Sequence, residues 1–470
     1  MPRVLLAGIA ARISARWSIS MIVFGTLLAA MVAYVPAHDG LGTPGTHALF
    51  VLTLASCLWI SSALPPFAVS LLVIALQIAL LGDPAGDFSH GDPRRWEMFV
   101  APWASPVMWL FLSGLVLATA AQRTGLDRRL AAAVLGAMGG GPRRLLLGMM
   151  GITFVLSMFM SNTATTAMML ALVAPMASSG GLPPSLARAL LLGVGVAANL
   201  GGMGTLIGTP PNAIAAAALA PMQPVDYARW IAFGLPPALL LAGGAWLYLS
   251  AKYIPAGLEA VRLDFVDDAP GPERARSQML VGLIFGVTVA AWMTEQLHGI
   301  PTAVVAVMPI AALAVSGVVT ERELRLLPWD VLVLVAGGLS LGVGVAETGL
   351  ASWLVSGLAG RDLPPLALAF TLAVPTLVLS NFISNTAAAT IVMPMALALG
   401  GPSPALAAIP LALTTSVAMC LPVSTPPNAM IFASGHVTTR DLMGMGLIMG
   451  LIGPPLIIAW TTLVMPWVLP

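Results

Sequence analysis

The sequence predicts an all-α polytopic membrane protein of about eleven transmembrane helices. Three observations carry that prediction. Of 470 residues, 58% are hydrophobic and only 8% charged, with a mean hydropathy of +0.95; a soluble domain carries roughly a quarter charged residues. So few ionic groups cannot clothe a water-exposed surface. The apolar stretches are also continuous rather than alternating, which favours spanning helices over a β-barrel. Finally, a net charge of +1 leaves no footprint for nucleic acid, and two cysteines (Cys57 and Cys420) build no disulfide scaffold.

Apolar runs near 20 residues place the spans in order. They fall at 17–36, 47–63, 66–82 and 102–121, then in a broken region at 145–223 and a span at 229–251. The second set comprises 278–294, 299–316, 331–346, a broken region at 363–437, and 441–468. The stretch 252–277 holds nine charged residues, among them Asp264, Asp267, Asp268, Arg274 and Arg276, and reads as a linker. This divides the chain into an N-terminal cytoplasmic segment and first span (1–40), a first repeat (41–252), a cytoplasmic linker (253–277) and a second repeat (278–470). Arg3, Arg12 and Arg16 precede the first span and hold its start in the cytoplasm, which favours an uncleaved first span over the alternative of a cleaved signal peptide.

Eleven crossings from a cytoplasmic N-terminus put sixteen of the 20 basic residues inside and leave Arg94, Arg95, Arg229 and Arg361 outside. That is the asymmetry the positive-inside rule expects, with the C-terminus outside. The expected location is the plasma membrane, or the inner membrane in a bacterium.

Three landmarks recur in the same order. Gly114-Leu115 returns as Gly338-Leu339 at an offset of 224, Ser161-Asn162-Thr163 as Ser384-Asn385-Thr386 at 223, and Thr209-Pro210-Pro211-Asn212 as Thr425-Pro426-Pro427-Asn428 at 216. An odd number of crossings separates the copies, so the second enters the membrane from the opposite face. Inverted-topology repeats of this kind place a transporter's binding site near the midplane, between the halves.

Each Ser-Asn-Thr lies in a stretch free of Asp, Glu, Lys and Arg, 43 residues long between Arg144 and Arg188 and 77 long between Asp362 and Arg440. Its apolar arms of about 15 residues rise roughly 22 Å as helices, short of a hydrocarbon core near 30 Å. Two re-entrant hairpins follow, around 145–178 and 366–399; two short full spans joined by a surface turn are the alternative. Ser, Asn and Thr cap helix N-termini, so the tripeptide ends one arm and opens the next. The closing arm offers free carbonyls to a cation and the opening arm free N–H groups to an anion. The prolines are expected to break two further helices, Pro210 and Pro211 freeing the carbonyls of Leu206 and Ile207, Pro426 and Pro427 those of Pro422 and Val423.

An anion buried without a charged partner costs several kcal/mol. With no basic side chain beside either motif, the compensating charge must travel with the anion as bound cations. Cation-coupled symport is therefore the expected activity.

With the doubled Ser-Asn-Thr and Thr-Pro-Pro-Asn motifs, the sequence resembles the divalent anion–sodium symporter family over residues 18–468. That family carries dicarboxylates, citrate and sulfate. The resemblance implies homodimers in which a transport domain moves against a fixed scaffold, an elevator motion. It implies a first sodium site at Ser157, Ser161, Asn162 and Gly208, and a second at Ser380, Ser384, Asn385 and Ser424. It implies substrate contacts at Asn162, Thr163, Asn385 and Thr386, with Thr209, Pro210, Thr425 and Pro426 closing the pocket. Two intact tips imply two carboxylates held at once, as in a C4-dicarboxylate such as succinate. Ser380 stands where members often have threonine, and Ser424 where they have a smaller residue. Members that exchange without sodium place basic side chains near these sites, and this sequence has none there.

The expected partners are thus a small anion, sodium and membrane lipid, with a second copy of the chain, no nucleic acid and no organic cofactor. An enzyme is disfavoured, because no nucleophile–base pair or metal cluster accompanies the motifs. A sulfate symporter, a sodium-independent dicarboxylate exchanger and, more remotely, a channel are the alternatives.

Overall fold

The computed structural model describes residues 2–35, 38–82, 95–138, 141–178, 182–255, 257–258, 271–356, 364–401 and 403–469. Most of the 253–277 linker, with Arg94 and Arg361, lies outside the described residues, as do the side chains of Arg3, Arg12 and Arg16. The first half contains α1 (Pro2–Tyr34), α2 (Thr43–Ser61), α3 (Pro66–Leu81), α4 (Glu97–Val100), α5 (Pro106–Thr124), α6 (Leu126–Ala137), α7 (Pro142–Ser157), α8 (Asn162–Ser178), α9 (Pro184–Gly201), α10 (Pro210–Leu219) and α11 (Tyr227–Tyr253). The second contains α12 (Pro272–Met293), α13 (Glu295–His298), α14 (Thr302–Val315), α15 (Glu321–Arg325), α16 (Trp329–Glu347), α17 (Leu350–Ser356), α18 (Pro365–Ser380), α19 (Asn385–Leu399), α20 (Ala405–Thr415), α21 (Pro426–Ala433) and α22 (Thr439–Val468).

Among the described residues, seven helical segments are long and apolar enough to cross a membrane. They are Thr43–Ser61, Glu97–Thr124, Pro184–Gly204, Tyr227–Tyr253, Pro272–Met293, Trp329–Glu347 and Thr439–Val468. Apolar side chains face outward in stripes, such as Met279, Leu283 and Val287 on α12 and Leu447, Leu451 and Ile452 on α22. A spacing of four keeps one helix face toward the lipid.

Helices α7 and α8 have 16 and 17 residues, α18 and α19 have 16 and 15. Each pair forms a hairpin that packs on the broken helix of its own half, α7 and α8 on α9, α18 and α19 on α20. The far segments cross over: α10 packs on α19, and α21 on α8. Helices α9 and α20 are buried nearly throughout and form the centre of the molecule. Around them, α1, α2 and α3 form one outer group, and α5, α12 and α14 another, with α16 set between α3 and α19.

Helix α16 fits that position because it has glycine on both faces. A Cβ on Gly337 would lie 2.3 Å from Ser70 Cβ of α3, and one on Gly338 would lie 2.8 Å from Thr390 Oγ1 of α19. Between α3 and α16, Ser340 Oγ donates to Gln77 Oε1 at 2.7 Å.

One expectation needs correcting. The prolines do not interrupt running helices. Pro210 and Pro211 occupy the first two positions of α10, and Pro426 and Pro427 those of α21. Proline suits those positions because the N–H it lacks would be unpartnered there. The breaks therefore precede the prolines, at 205–209 and 416–425, so no intrahelical bond to Leu206, Ile207, Pro422 or Val423 existed to be lost. Helix α6, which the apolar runs place in no span, is an additional short helix whose Asp127 is buried while Arg128 and Arg129 are exposed.

Candidate functional site

Two hairpin tips and two breaks enclose a cavity of about 420 Å³, within the range of small-molecule sites. Its polar lining comprises Ser161, Asn162 and Thr163 from the first tip and Ser384, Asn385 and Thr386 from the second. Gly208, Thr209 and Pro210 come from one break, and Ser424, Thr425, Pro426 and Pro427 from the other. Phe111, Leu115, Phe159, Ile207 and Val331 supply apolar wall. All eight sequence-predicted substrate residues thus face one space. Ser157 and Ser380 do not line it and stand one layer behind.

The tips form for a local reason. Ser161 Oγ accepts from the Ala164 N–H at 3.2 Å and caps α8, and Ser384 Oγ accepts from the Ala387 N–H at 3.2 Å and caps α19. Behind the first tip, the Ser157 hydroxyl has one proton for two acceptors, Asn162 Oδ1 at 2.8 Å and Ala198 O at 2.7 Å. Behind the second, Ser380 Oγ donates to Asn385 Oδ1 at 2.7 Å.

Each break is held by the asparagine of its Thr-Pro-Pro-Asn motif. Asn212 Nδ2 donates to Gly202 O at 2.9 Å and Thr205 O at 2.7 Å. Asn428 Nδ2 donates to Met419 O at 2.8 Å and Leu421 O at 3.0 Å. Gly208 is required by close approach rather than by backbone angle, since a Cβ there would sit 2.5 Å from Gly202 O. Thr205 Oγ1 donates to Met158 O, tying the first break to the first hairpin. In the second half, Ser424 Oγ directs its proton at Asn381, with O at 3.1 Å and Oδ1 at 3.0 Å, and accepts from the Leu421 N–H at 2.9 Å. Ser424 reaches the cavity with its proton and one lone pair engaged, which leaves one lone pair of its oxygen.

Among the described residues, no Asp, Glu, Lys, Arg or His lines this cavity. Its field comes from helix ends. Helices α8, α10, α19 and α21 begin at lining residues, and α7, α9, α18 and α20 end at the same four breaks and tips. Each start carries about half a positive charge and each end about half a negative one. Every tip or break contributes one of each, so the centre is dipolar but carries no net charge. It offers N–H groups to an anion and carbonyl and hydroxyl oxygens to a hard cation. No group of three His, Cys, Asp or Glu is placed to hold a metal among the described residues.

Sequence reasoning missed Asn199, which lines the cavity from α9. The available signal was weak: one amide in an apolar run, whose counterpart at the motif offset of 216 is Thr415. It also missed Asn381, which follows Ser380 directly and accepts from Ser424 and from the Cys420 N–H at 2.8 Å.

The "Citrate transporter" family model (CitMHS) matches residues 56–418. The sodium-dependent dicarboxylate transporter SdcS of Staphylococcus aureus is 30% identical over 490 aligned positions, which cover 95% of this chain and 91% of that protein. Among solved structures, the YdaH transporter of Alcanivorax borkumensis aligns with a TM-score of 0.57 at 17% identity, covering 86% of this chain and 98% of that one. MtrF of Neisseria gonorrhoeae aligns with a TM-score of 0.54 at 15% identity, covering 87% and 96%. At those identities the two structures speak for the fold alone. The chain is a multi-pass membrane transporter rather than an enzyme, and it belongs to the citrate transporter family, to which the divalent anion–sodium symporters are related.

Proposed function

We propose that this protein is a sodium-coupled symporter of a small divalent anion, a C4-dicarboxylate such as succinate. The carrying observation is that Asn162 and Thr163 from one tip and Asn385 and Thr386 from the other line one cavity that has no charged side chain among the described residues. Each tip presents a helix start to one carboxylate. Four helix starts matched by four helix ends leave no net positive charge, so a dianion brings its own compensation as sodium. Ser161, Asn162 and Gly208, with Ser157 behind, would hold one ion; Ser384, Asn385 and Ser424, with Ser380 behind, would hold the other. SdcS, sodium-dependent and dicarboxylate-carrying by name, supports both cargo and coupling.

The two halves are read as inverted repeats with re-entrant hairpins, because the hairpin arms are too short for a full crossing. In an elevator cycle the hairpins, the broken helices, α11 and α22 would slide as one body. They would move against α1–α3, α5, α12, α14 and α16, in a homodimer with N-termini inside and C-termini outside the plasma membrane. Uptake of labelled succinate, citrate and sulfate into proteoliposomes, with and without an inward sodium gradient, tests this. Accumulation of succinate that requires the sodium gradient is the expected result; uptake indifferent to sodium defeats the proposal.

A further inference from the structure

Asn199 projects from the first half and bonds to the second. Its side chain, 1% exposed, places Nδ2 at 3.2 Å from Thr425 Oγ1 and 3.5 Å from Asn428 Oδ1. The neighbours settle which end of each amide points where. Asn428 Nδ2 is fixed by two carbonyls, Met419 O and Leu421 O, so Asn428 turns its oxygen toward Asn199. Asn199 must then answer with its nitrogen.

The consequence falls on Thr425. Its hydroxyl oxygen accepts from the Asn428 N–H at 3.3 Å and from Asn199 Nδ2 at 3.2 Å. A hydroxyl has two lone pairs and one proton. Both lone pairs are occupied, and the proton has no protein acceptor among the described residues. Thr425 and Asn199 both line the cavity, so the remaining tetrahedral direction of Thr425 Oγ1 is open to its contents. The first half lacks this device. Thr209 accepts no side-chain capping bond, and Thr415, at the position matching Asn199, directs its own hydroxyl to Ala412 O at 2.7 Å.

We propose that Asn199 is a positioning residue that turns Thr425 into an obligatory hydrogen-bond donor, so that the second-half end of the cavity accepts only a group rich in lone pairs, such as a carboxylate. Thr209 remains a rotor able to donate or accept. The inference rests on the cavity being the anion site proposed above.

The test is a double-mutant cycle on purified full-length protein, read as succinate affinity at saturating sodium. Wild-type binding of succinate checks the anion-site reading by itself; absence of binding would fail that reading and leave no affinity for Asn199 to set. Asn199→Leu, nearly isosteric, frees one lone pair of Thr425 and should weaken succinate about tenfold, a typical effect of one charge-assisted hydrogen bond. Thr425→Val should weaken it similarly. The double variant should match Thr425→Val within about twofold if Asn199 acts through that hydroxyl rather than through Asn428 or by touching the anion itself. Full additivity overturns the proposal, as does an unchanged affinity in Asn199→Leu. Should Asn199→Leu fail to fold, Asn199→Ala replaces it, since it removes the same donor without adding a charge to the cavity. Sodium affinity without anion should stay within about twofold in the uncharged Asn199 variant, which serves as the folding control; its loss together with succinate binding means a merely structural role and also overturns the proposal.

Discussion

Ser157 Oγ stands 2.8 Å from Asn162 Oδ1, and Ser380 Oγ stands 2.7 Å from Asn385 Oδ1. The two pairs have the same i to i+5 relation across two hairpin tips of the same fold. Each serine lies at the end of the closing arm and each asparagine at the start of the opening arm. The asparagine is thereby oriented before any ligand arrives. Asn162→Ala and Asn385→Ala should each abolish transport while leaving expression intact, measured as sodium-driven succinate uptake. Normal uptake in either variant removes that half from the site.

Ser157→Ala removes an orienting partner without touching the cavity wall. The expected change is about a tenfold loss of apparent sodium affinity, on the scale of one hydrogen bond to a charged or ligating group, with maximal velocity largely kept. A sodium titration of uptake checks it.

Gly208→Ala places a methyl group 2.5 Å from Gly202 O. Backbone faces backbone there, so the first break must open. Sodium-dependent binding should fall at least tenfold, a cost of about 1.4 kcal/mol or more. An unchanged sodium titration would show that this glycine is incidental.

Gly337→Ala drives a methyl group into Ser70, 2.3 Å from its Cβ and 2.8 Å from its Cα. Overpacking of this kind costs roughly 1–3 kcal/mol. Tm in detergent should drop, while the sodium and succinate affinities of the surviving protein stay close to wild type, because α3 contributes nothing to the cavity lining.

Outside the membrane segments, Glu323 has its carboxyl held below the ordinary range, first by the Thr320 hydroxyl and also by Arg123 at 2.8 Å. A depressed carboxyl stabilises the fold above its unfolded value and loses that contribution as pH falls through its lowered folded value. The contact between the α15 segment and Arg123 should therefore persist at neutral pH and loosen only below the usual glutamate range near pH 4.3. Hydrogen exchange across 317–325 should accelerate in that acid window, and in Glu323→Gln it should already be fast at neutral pH.

Much of this site was legible in the sequence, and local chemistry explains why. Serine favours the N-cap position on local grounds alone, so Ser-Asn-Thr marks helix starts at Ser161 and Ser384 without reference to any tertiary contact. The paired offsets then linked two tips that the fold brings to one cavity. The prolines were located correctly but misread, because a Pro-Pro step either breaks a running helix or opens a new one, and only the preceding 205–209 and 416–425 turns decide which. Asn199 was not legible: its role depends on a residue 226 positions away, and it has no twin to advertise it. Helix α6 was not legible because its 12 residues carry charge in the first turn and form no continuous apolar run.

The central claim is that a neutral, dipolar cavity binds a dianion only together with cations. Calorimetric titration of succinate into the purified protein, in sodium chloride and then in choline chloride at equal ionic strength, tests it most directly. Binding that appears in sodium, strengthens as sodium rises and vanishes in choline is the predicted result. Equal affinity in the two salts would contradict it.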